Sequence, residues 1–351
     1  MRDFDLGRRR FLQGAALTGA VSLLAACGGE SQPRWKKGQN GARPFNGQGV
    51  ARMGFATHHG DYIHNSGITD ELRIMSAMAV GLNRTDTNYN VVKPTADSQS
   101  DYSRLDFIAT ESNKTGIIPV FILNLDSVPD GMGDINGMLT VSEYAQSAYE
   151  LAKHAKEQGQ KVIWELGNEF NVTMNGPQEY VPYATQGAKA IRRADKDALI
   201  VSGGITHFND PVMWAAKLRE AGALDDVNLF GYHPYNDANG PTGEVFDAVT
   251  EMSNKARMRV AYTEFGWSTF DGTNGVSPDQ QAAYIAETFD GIRTGRFPVA
   301  FGTVYELVDS PDDSVPLRQH YGILTSDLQP KNGGLAVNDI RHQATLFKKA
   351  A

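Results

Sequence analysis

From position 50 onward, short apolar runs of strand length alternate with longer amphipathic stretches. That alternation predicts repeated βα units and a parallel sheet. Eight runs have strand character: 51–56, 82–86, 117–124, 162–169, 199–203, 227–233, 259–264 and 299–306. The segments between them carry helix start signals. Thr140 with Glu143 and Ser277 with Gln280 have the spacing of capping boxes, and Pro211 and Pro278 stand at first-turn positions. Gly159 and Gly295 follow helical stretches, where a left-handed cap is expected. After Ser277, Ala282, Ile285, Ala286, Phe289 and Ile292 recur every three or four residues, so one helical face turns toward the sheet. Trp214, in the helix after Asp210, is expected to pack in the same way.

Eight βα units can close into a barrel or lie open as a doubly wound sheet. The polar residues distinguish the two. Arg84 and Asp86, Asn124, Asn168 and Glu169, His207, His233 and Tyr235, Glu264, and Tyr305 and Glu306 all fall at or just past the ends of different strands. A barrel gathers those ends around one mouth, whereas an open sheet spreads them along an edge. The expected fold is therefore α/β, a (β/α)8 TIM barrel over residues 50–351.

Ahead of the barrel the pattern is different. Residues 8–13 read Arg-Arg-Arg-Phe-Leu-Gln, and an apolar run over 14–26 follows. This resembles a twin-arginine export signal, and Leu24-Ala25-Ala26-Cys27 resembles a bacterial lipobox. The resemblance implies a signal peptide over 1–27, acylation of Cys27 and a lipid anchor on the periplasmic or cell-surface side of a bacterial membrane. Residues 28–49 are rich in Gly, Gln, Asn, Lys and Pro and read as a flexible tether.

Cys27 is the one cysteine of the chain, so no intrachain disulfide is expected. With 41 acidic against 33 basic residues the net charge is −8, which argues against a nucleic-acid partner. No His-x-x-x-His or clustered aspartate spacing points to a metal, and no cofactor motif stands out.

Two stretches, 161–172 and 259–267, share one construction: an apolar run ending in a glutamate, Glu169 and Glu264. Glycosidic bond cleavage needs a proton for the leaving oxygen and a negative charge or nucleophile at the anomeric carbon, and two carboxyl groups supply both. Glu165 shares a face with Glu169 but lies lower in the barrel, where a structural role is expected. His58 and His59 follow the first strand and His207 the fifth, as candidates to hydrogen-bond sugar hydroxyls, with plain solvation as the alternative for a loop histidine.

Trp164-Glu165-Leu166-Gly167-Asn168-Glu169 resembles the Asn-Glu acid/base motif of clan A glycoside hydrolases, and Tyr262-Thr263-Glu264-Phe265-Gly266-Trp267 resembles the nucleophile motif of that clan. The likeness is closest to families 39 and 5. It implies Glu169 as general acid/base, Glu264 as nucleophile, Asn168 on the sugar 2-hydroxyl and Arg84 holding the nucleophile ionised. His233 or Tyr235, in Gly231-Tyr232-His233-Pro234-Tyr235, is implied as the contact to the nucleophile. Strand eight of these families usually ends in a tryptophan platform; here Tyr305 stands there, with Trp267 as the other candidate stacking face. Asn124, His58 and His207 complete the expected carbohydrate site.

The resulting expectation is a retaining glycosidase acting on an extracytoplasmic poly- or oligosaccharide. The alternative is a catalytically silent carbohydrate-binding lipoprotein or exopolysaccharide assembly factor. Possession of both carboxylates favours the enzyme.

Overall fold

The computed structural model describes residues 52–60, 65–311 and 313–350; the expected export signal, Cys27 and the tether lie outside them. Eight strands close into a barrel in chain order: β1 (Met53–Ala56), β2 (Leu82–Asp86), β3 (Ile118–Ile122), β4 (Ile163–Asn168), β5 (Leu199–Thr206), β6 (Phe230–His233), β7 (Val260–Phe265) and β8 (Val299–Val304). Every pairing is parallel, and β1 pairs with both β2 and β8, which closes the sheet. Eight longer helices follow the strands in turn: α1 (Asn65–Ala77), α2 (Ser103–Lys114), α3 (Val141–Glu157), α4 (Pro177–Ala194), α5 (Pro211–Glu220), α6 (Gly243–Ala256), α7 (Pro278–Thr294) and α8 (Leu335–Ala350). This is the (β/α)8 architecture read from the alternation.

Local chemistry sets the helix starts. Thr140 and Ser277 form reciprocal capping boxes with Glu143 and Gln280, and Asp210 Oδ1 accepts the Met213 N–H at the start of α5. Gly295 ends α7 at φ 81°, in the left-handed region where a side chain would be strained.

Strand boundaries differ from expectation where glycine misled the reading. The sequence suggested that strand five stops at Gly203, yet β5 continues to Thr206. Gly203 and Gly204 stay in the strand because neighbouring groups fill the space a side chain would need. A Cβ at 204 would lie 2.1 Å from His233 Nε2. Strands three and eight each end two residues before the expected boundary, at Ile122 and Val304.

Inside the barrel, Leu82, Val120, Ile163, Val201, Leu229, Ala261 and Phe301 form an apolar plug. Each large plug side chain contributes on the order of 1.5–3 kcal/mol by burial. Alternation along each strand puts the next inward residues one layer higher, so Arg84 stands above Leu82, Glu165 above Ile163 and Thr263 above Ala261. The apolar floor thus carries a buried polar layer. Outside the strands the larger core includes Trp214, which is 2% exposed, with Ile285, Phe289 and Ile292 of α7.

Candidate active site

Arg84 is the hub of the polar layer. Its Nε and Nη2 donate to the two oxygens of Glu165 at 2.6 and 3.2 Å. Nη1 donates to Glu264 Oε1 at 2.5 Å, and Nη2 also reaches Asn168 Oδ1 at 2.8 Å. Glu165 is fully buried and additionally accepts the Gly204 N–H at 3.1 Å. It is a satisfied structural carboxylate whose charge secures the guanidinium. Asn168, with its oxygen occupied by Arg84, is left with its amide N–H groups as donors at the exposed end of β4.

Glu169 follows in the left-handed region, at φ 48°. Its side chain is 34% exposed, against 9% for Glu264. Fully buried His233 joins the two: Nδ1 lies 3.1 Å from Glu169 Oε1 and 3.7 Å from Glu264 Oε2. Thr263 Oγ1 lies 3.0 Å from the other ring nitrogen and orients the imidazole. A carboxylate oxygen of Glu169, a ring nitrogen of His233 and a carboxylate oxygen of Glu264 lie within 4.8 Å of one another. The residue just past β4 and residues of β6 and β7 therefore converge on one point at the ends of the strands.

The two carboxylates have unlike surroundings. Burial pushes the Glu264 carboxyl upward, but the charges of His233 and Arg84 and the hydrogen bonds from Tyr235 and Arg84 outweigh it and hold the group below the ordinary carboxylate range. Tyr235 Oη donates to Glu264 Oε2 at 2.5 Å. Burial and the neighbouring Glu264 charge raise the Tyr235 phenol well above its usual range, so it stays a donor.

Because Glu264 is more acidic folded than unfolded, its contribution to stability is present above the unfolded carboxylate value and is lost as pH falls through the lower folded value. Arg84→Met strands Glu165 and Glu264 without their shared cation. The variant is expected to lose about 3–5 kcal/mol of stability, read as a lower Tm. The acid limb of its kcat/KM profile should move to higher pH. An unchanged limb would show that Arg84 does not set the ionisation of Glu264.

Three tyrosines line the rim. Tyr235 meets Tyr305 and Tyr321 edge-on at ring separations of 6.4 and 5.9 Å, and Tyr305 meets Tyr321 at 5.5 Å. Tyr321 was missed in the sequence because it lies outside every strand and helix. His58 stands edge-on to Tyr305 at 6.1 Å, and its Nε2 lies 2.8 Å from Glu306 Oε2. Burial raises the Glu306 carboxyl, while His58 and Ser310 pull it back. Asn124 Nδ2 donates to Asp86 Oδ1 at 2.6 Å beside β2 and β3. His207, past β5, is half-buried and meets the Phe208 ring at 3.9 Å with the two planes tilted by 41°.

Trp267 requires a correction. It is 1% exposed, packs in parallel on Phe246 of α6 and donates its indole N–H to Asn239 O at 2.6 Å. Three residues beyond Glu264, the side chain enters the layer between barrel and helices, so it offers no stacking face to a sugar.

Among the described residues, Glu169, His233 and Glu264 are also the group with metal-ligand spacing. Both oxygens of Glu264 already accept hydrogen bonds, and the Arg84 guanidinium adjoins it. That environment opposes a cation and suits proton transfer.

The model of the family described as cellulase (glycosyl hydrolase family 5) matches residues 63–294. Among solved structures, a family 39 glycoside hydrolase from the gut symbiont Bacteroides cellulosilyticus WH2 aligns with TM-score 0.66 at 23% identity, over 85% of this chain and 64% of its own. The exo-β-1,4-mannosidase Op5Man5 from Opitutaceae bacterium strain TAV5 aligns with TM-score 0.67 at 16% identity, over 88% of this chain and 62% of its own. A GH5_18 protein from Streptomyces cattleya, in complex with GlcNAc, gives TM-score 0.65 at 15% identity, over 86% and 81%. The chain thus spans slightly less than two thirds of the first two. At these identities the structural likeness carries the fold.

Proposed function

Since the chain belongs to glycosyl hydrolase family 5, a family of glycosidases, we propose that it is a retaining enzyme with Glu264 as nucleophile and Glu169 as general acid/base. The observation that carries this reading is the oxygen-to-oxygen approach of the two carboxylates, within 4.8 Å. Retaining pairs stand roughly 5–5.5 Å apart and inverting pairs roughly 6.5–9.5 Å, because inversion must admit a water between carboxylate and sugar.

In the first step Glu264 forms a bond to the anomeric carbon while Glu169 gives its proton to the departing oxygen. In the second, Glu169 takes a proton from water, and the resulting oxygen nucleophile displaces Glu264. Arg84 and Tyr235 keep Glu264 anionic until it reacts. His233 Nδ1, 3.1 Å from Glu169 Oε1, gives Glu169 a hydrogen-bond partner. The Asn168 amide is the donor suited to the sugar 2-hydroxyl. Tyr305, Tyr321, Asn124 and His58 offer rings and polar atoms for a carbohydrate.

The proposed substrate is an extracytoplasmic poly- or oligosaccharide, met by a barrel tethered through acylated Cys27. Support for the location comes from the twin arginine and the Leu24-Ala25-Ala26-Cys27 sequence. Among the described residues no helix is long and apolar enough to cross a membrane.

The test is proton NMR of the first-formed sugar released from a panel of β-linked gluco-, manno- and xylo-oligosaccharides. Retention of anomeric configuration is expected. Inversion would overturn the mechanism. Binding without release, equally strong in Glu264→Gln, would favour the silent carbohydrate-binding alternative.

A further inference from the structure

The connection between β8 and α8, residues 305–334, has no strand among its described residues, yet the stretch that carries Tyr321 is anchored at four consecutive residues. His320 O accepts the Thr269 N–H at 2.9 Å and Lys331 Nζ at 3.1 Å. Tyr321 O accepts Gln281 Nε2 at 3.0 Å. The Gly322 N–H reaches Asp309 Oδ1 at 2.9 Å, and the Ile323 N–H reaches Glu306 O at 3.2 Å. Two of these anchors are buried polar groups. Gln281, 1% exposed, also donates to Trp267 O at 2.7 Å, and Lys331 is ion-paired to Asp309 at 2.8 Å. Such groups add little net stability once desolvation is counted. Here they converge on one short piece of backbone and fix where its tyrosine goes.

The ring so placed lies over the end of β7. A Cβ at Gly266, two residues past Glu264, would lie 3.2 Å from Tyr321 Cδ1, so the absence of a side chain there admits the ring. Tyr321 then meets Tyr235 edge-on, with centroids 5.9 Å apart and planes at 84°. Tyr235 stands two residues past β6, beyond the strand ladder. The direction of its ring therefore depends on what packs against it, and its hydroxyl is the one that donates to Glu264 Oε2.

The charged and titratable groups facing Glu264 are Arg84 from β2, His233 and Tyr235 at the end of β6, and Glu169 past β4. Tyr305 and Tyr321 feel its charge from the β8 side. Tyr321 also faces Asp237 and Arg318, and burial pushes its phenol up to about 12. At neutral pH the ring is thus uncharged, and its influence on Glu264 runs through position.

We propose that Tyr321 is a positioning residue whose ring keeps the Tyr235 hydroxyl on Glu264, so that the β8–α8 connection governs the readiness of the nucleophile. Its part in the reaction rests on the retaining reading; the bracing of Tyr235 does not.

The bracing is tested by carbon NMR on the full chain labelled with 13C in its glutamate carboxyls, with Glu264 identified by the signal missing from Glu264→Gln. In Tyr321→Leu the Glu264 carboxyl is expected to titrate roughly 0.5–1 pH unit higher than in wild type. Tyr321→Phe, which keeps the ring, is expected to restore the wild-type midpoint. In a Tyr235→Phe background, where no hydroxyl is left to hold, Tyr321→Leu should add less than about 0.3 pH unit. Mere admission of water would move the midpoint down, because it relieves the burial that opposes the charge. Should Tyr321→Leu not fold, Gln281→Met, which releases the Tyr321 backbone, is read in its place with the same upward direction. No rise, an equal rise in Tyr321→Phe, or the same rise with and without the Tyr235 hydroxyl overturns the bracing. The acid limb of kcat/KM on 4-nitrophenyl β-gluco-, manno-, galacto- and xylosides should follow the titration, and a limb that stays while the carboxyl shifts removes Tyr321 from the reaction. If wild type cleaves no member of that panel while Glu264 titrates as expected, the glycosidase reading falls and the bracing stands.

Discussion

Replacing Glu264 with Gln is expected to lower kcat/KM by at least about a thousandfold while leaving the barrel folded. The substitution keeps the shape of the side chain and removes the charge that, in the proposed mechanism, attacks the anomeric carbon. Arg84 Nη1 can still donate to an amide oxygen, and Arg84 remains ion-paired to Glu165 at 2.6 Å. The Tm should therefore fall less than in Arg84→Met, where two carboxylates lose their cation together. Calorimetry beside kinetics on the best substrate of the panel separates the two effects. Turnover within tenfold of wild type, on a folded variant, would remove Glu264 from the reaction.

Glu169→Ala should give a graded loss rather than a uniform one. General acid catalysis is worth on the order of a hundred- to ten-thousandfold, and it matters most when the departing oxygen is basic. Oligosaccharides and alkyl glycosides should suffer that full loss. Dinitrophenyl glycosides, which leave without a proton, should still form the glycosyl-enzyme and then stall for want of a base. The 34% exposure of the Glu169 side chain opens the vacated space to a small anion, so azide should restore turnover and yield a glycosyl azide of retained configuration. Equal losses for good and poor leaving groups would assign Glu169 some other task.

Much of this arrangement is legible in the chain because it follows from periodicity. A strand that carries Leu82 inward must carry Arg84 inward one layer higher, and the same holds for Ile163 with Glu165. The Asn-Glu pair and the second strand-end glutamate stand out because a carboxylate closing an apolar run needs a reason. What the pattern cannot carry is the course of backbone beyond a strand end. Trp267 stands three residues past Glu264 and was expected in the mouth, yet the chain turns and sends the indole against Phe246. Tyr321 reaches the rim from a long irregular connection, where no period exists to place it. Glycine at 203 misleads for a related reason, since only the packed neighbours reveal that the missing side chain makes room for the β4 backbone and the Phe170 ring.

The guanidinium at the centre of the polar layer has a consequence for how such a protein can change. Arg84 holds Glu165 and Glu264 at once, so altering the reactivity of one through this residue also loosens the strands that carry the other. Directed evolution toward a new working pH would find few surviving variants at position 84. Tyr235, half-buried and touching Glu264 through a single hydroxyl, is the adjustable contact from which such lineages should draw their mutations.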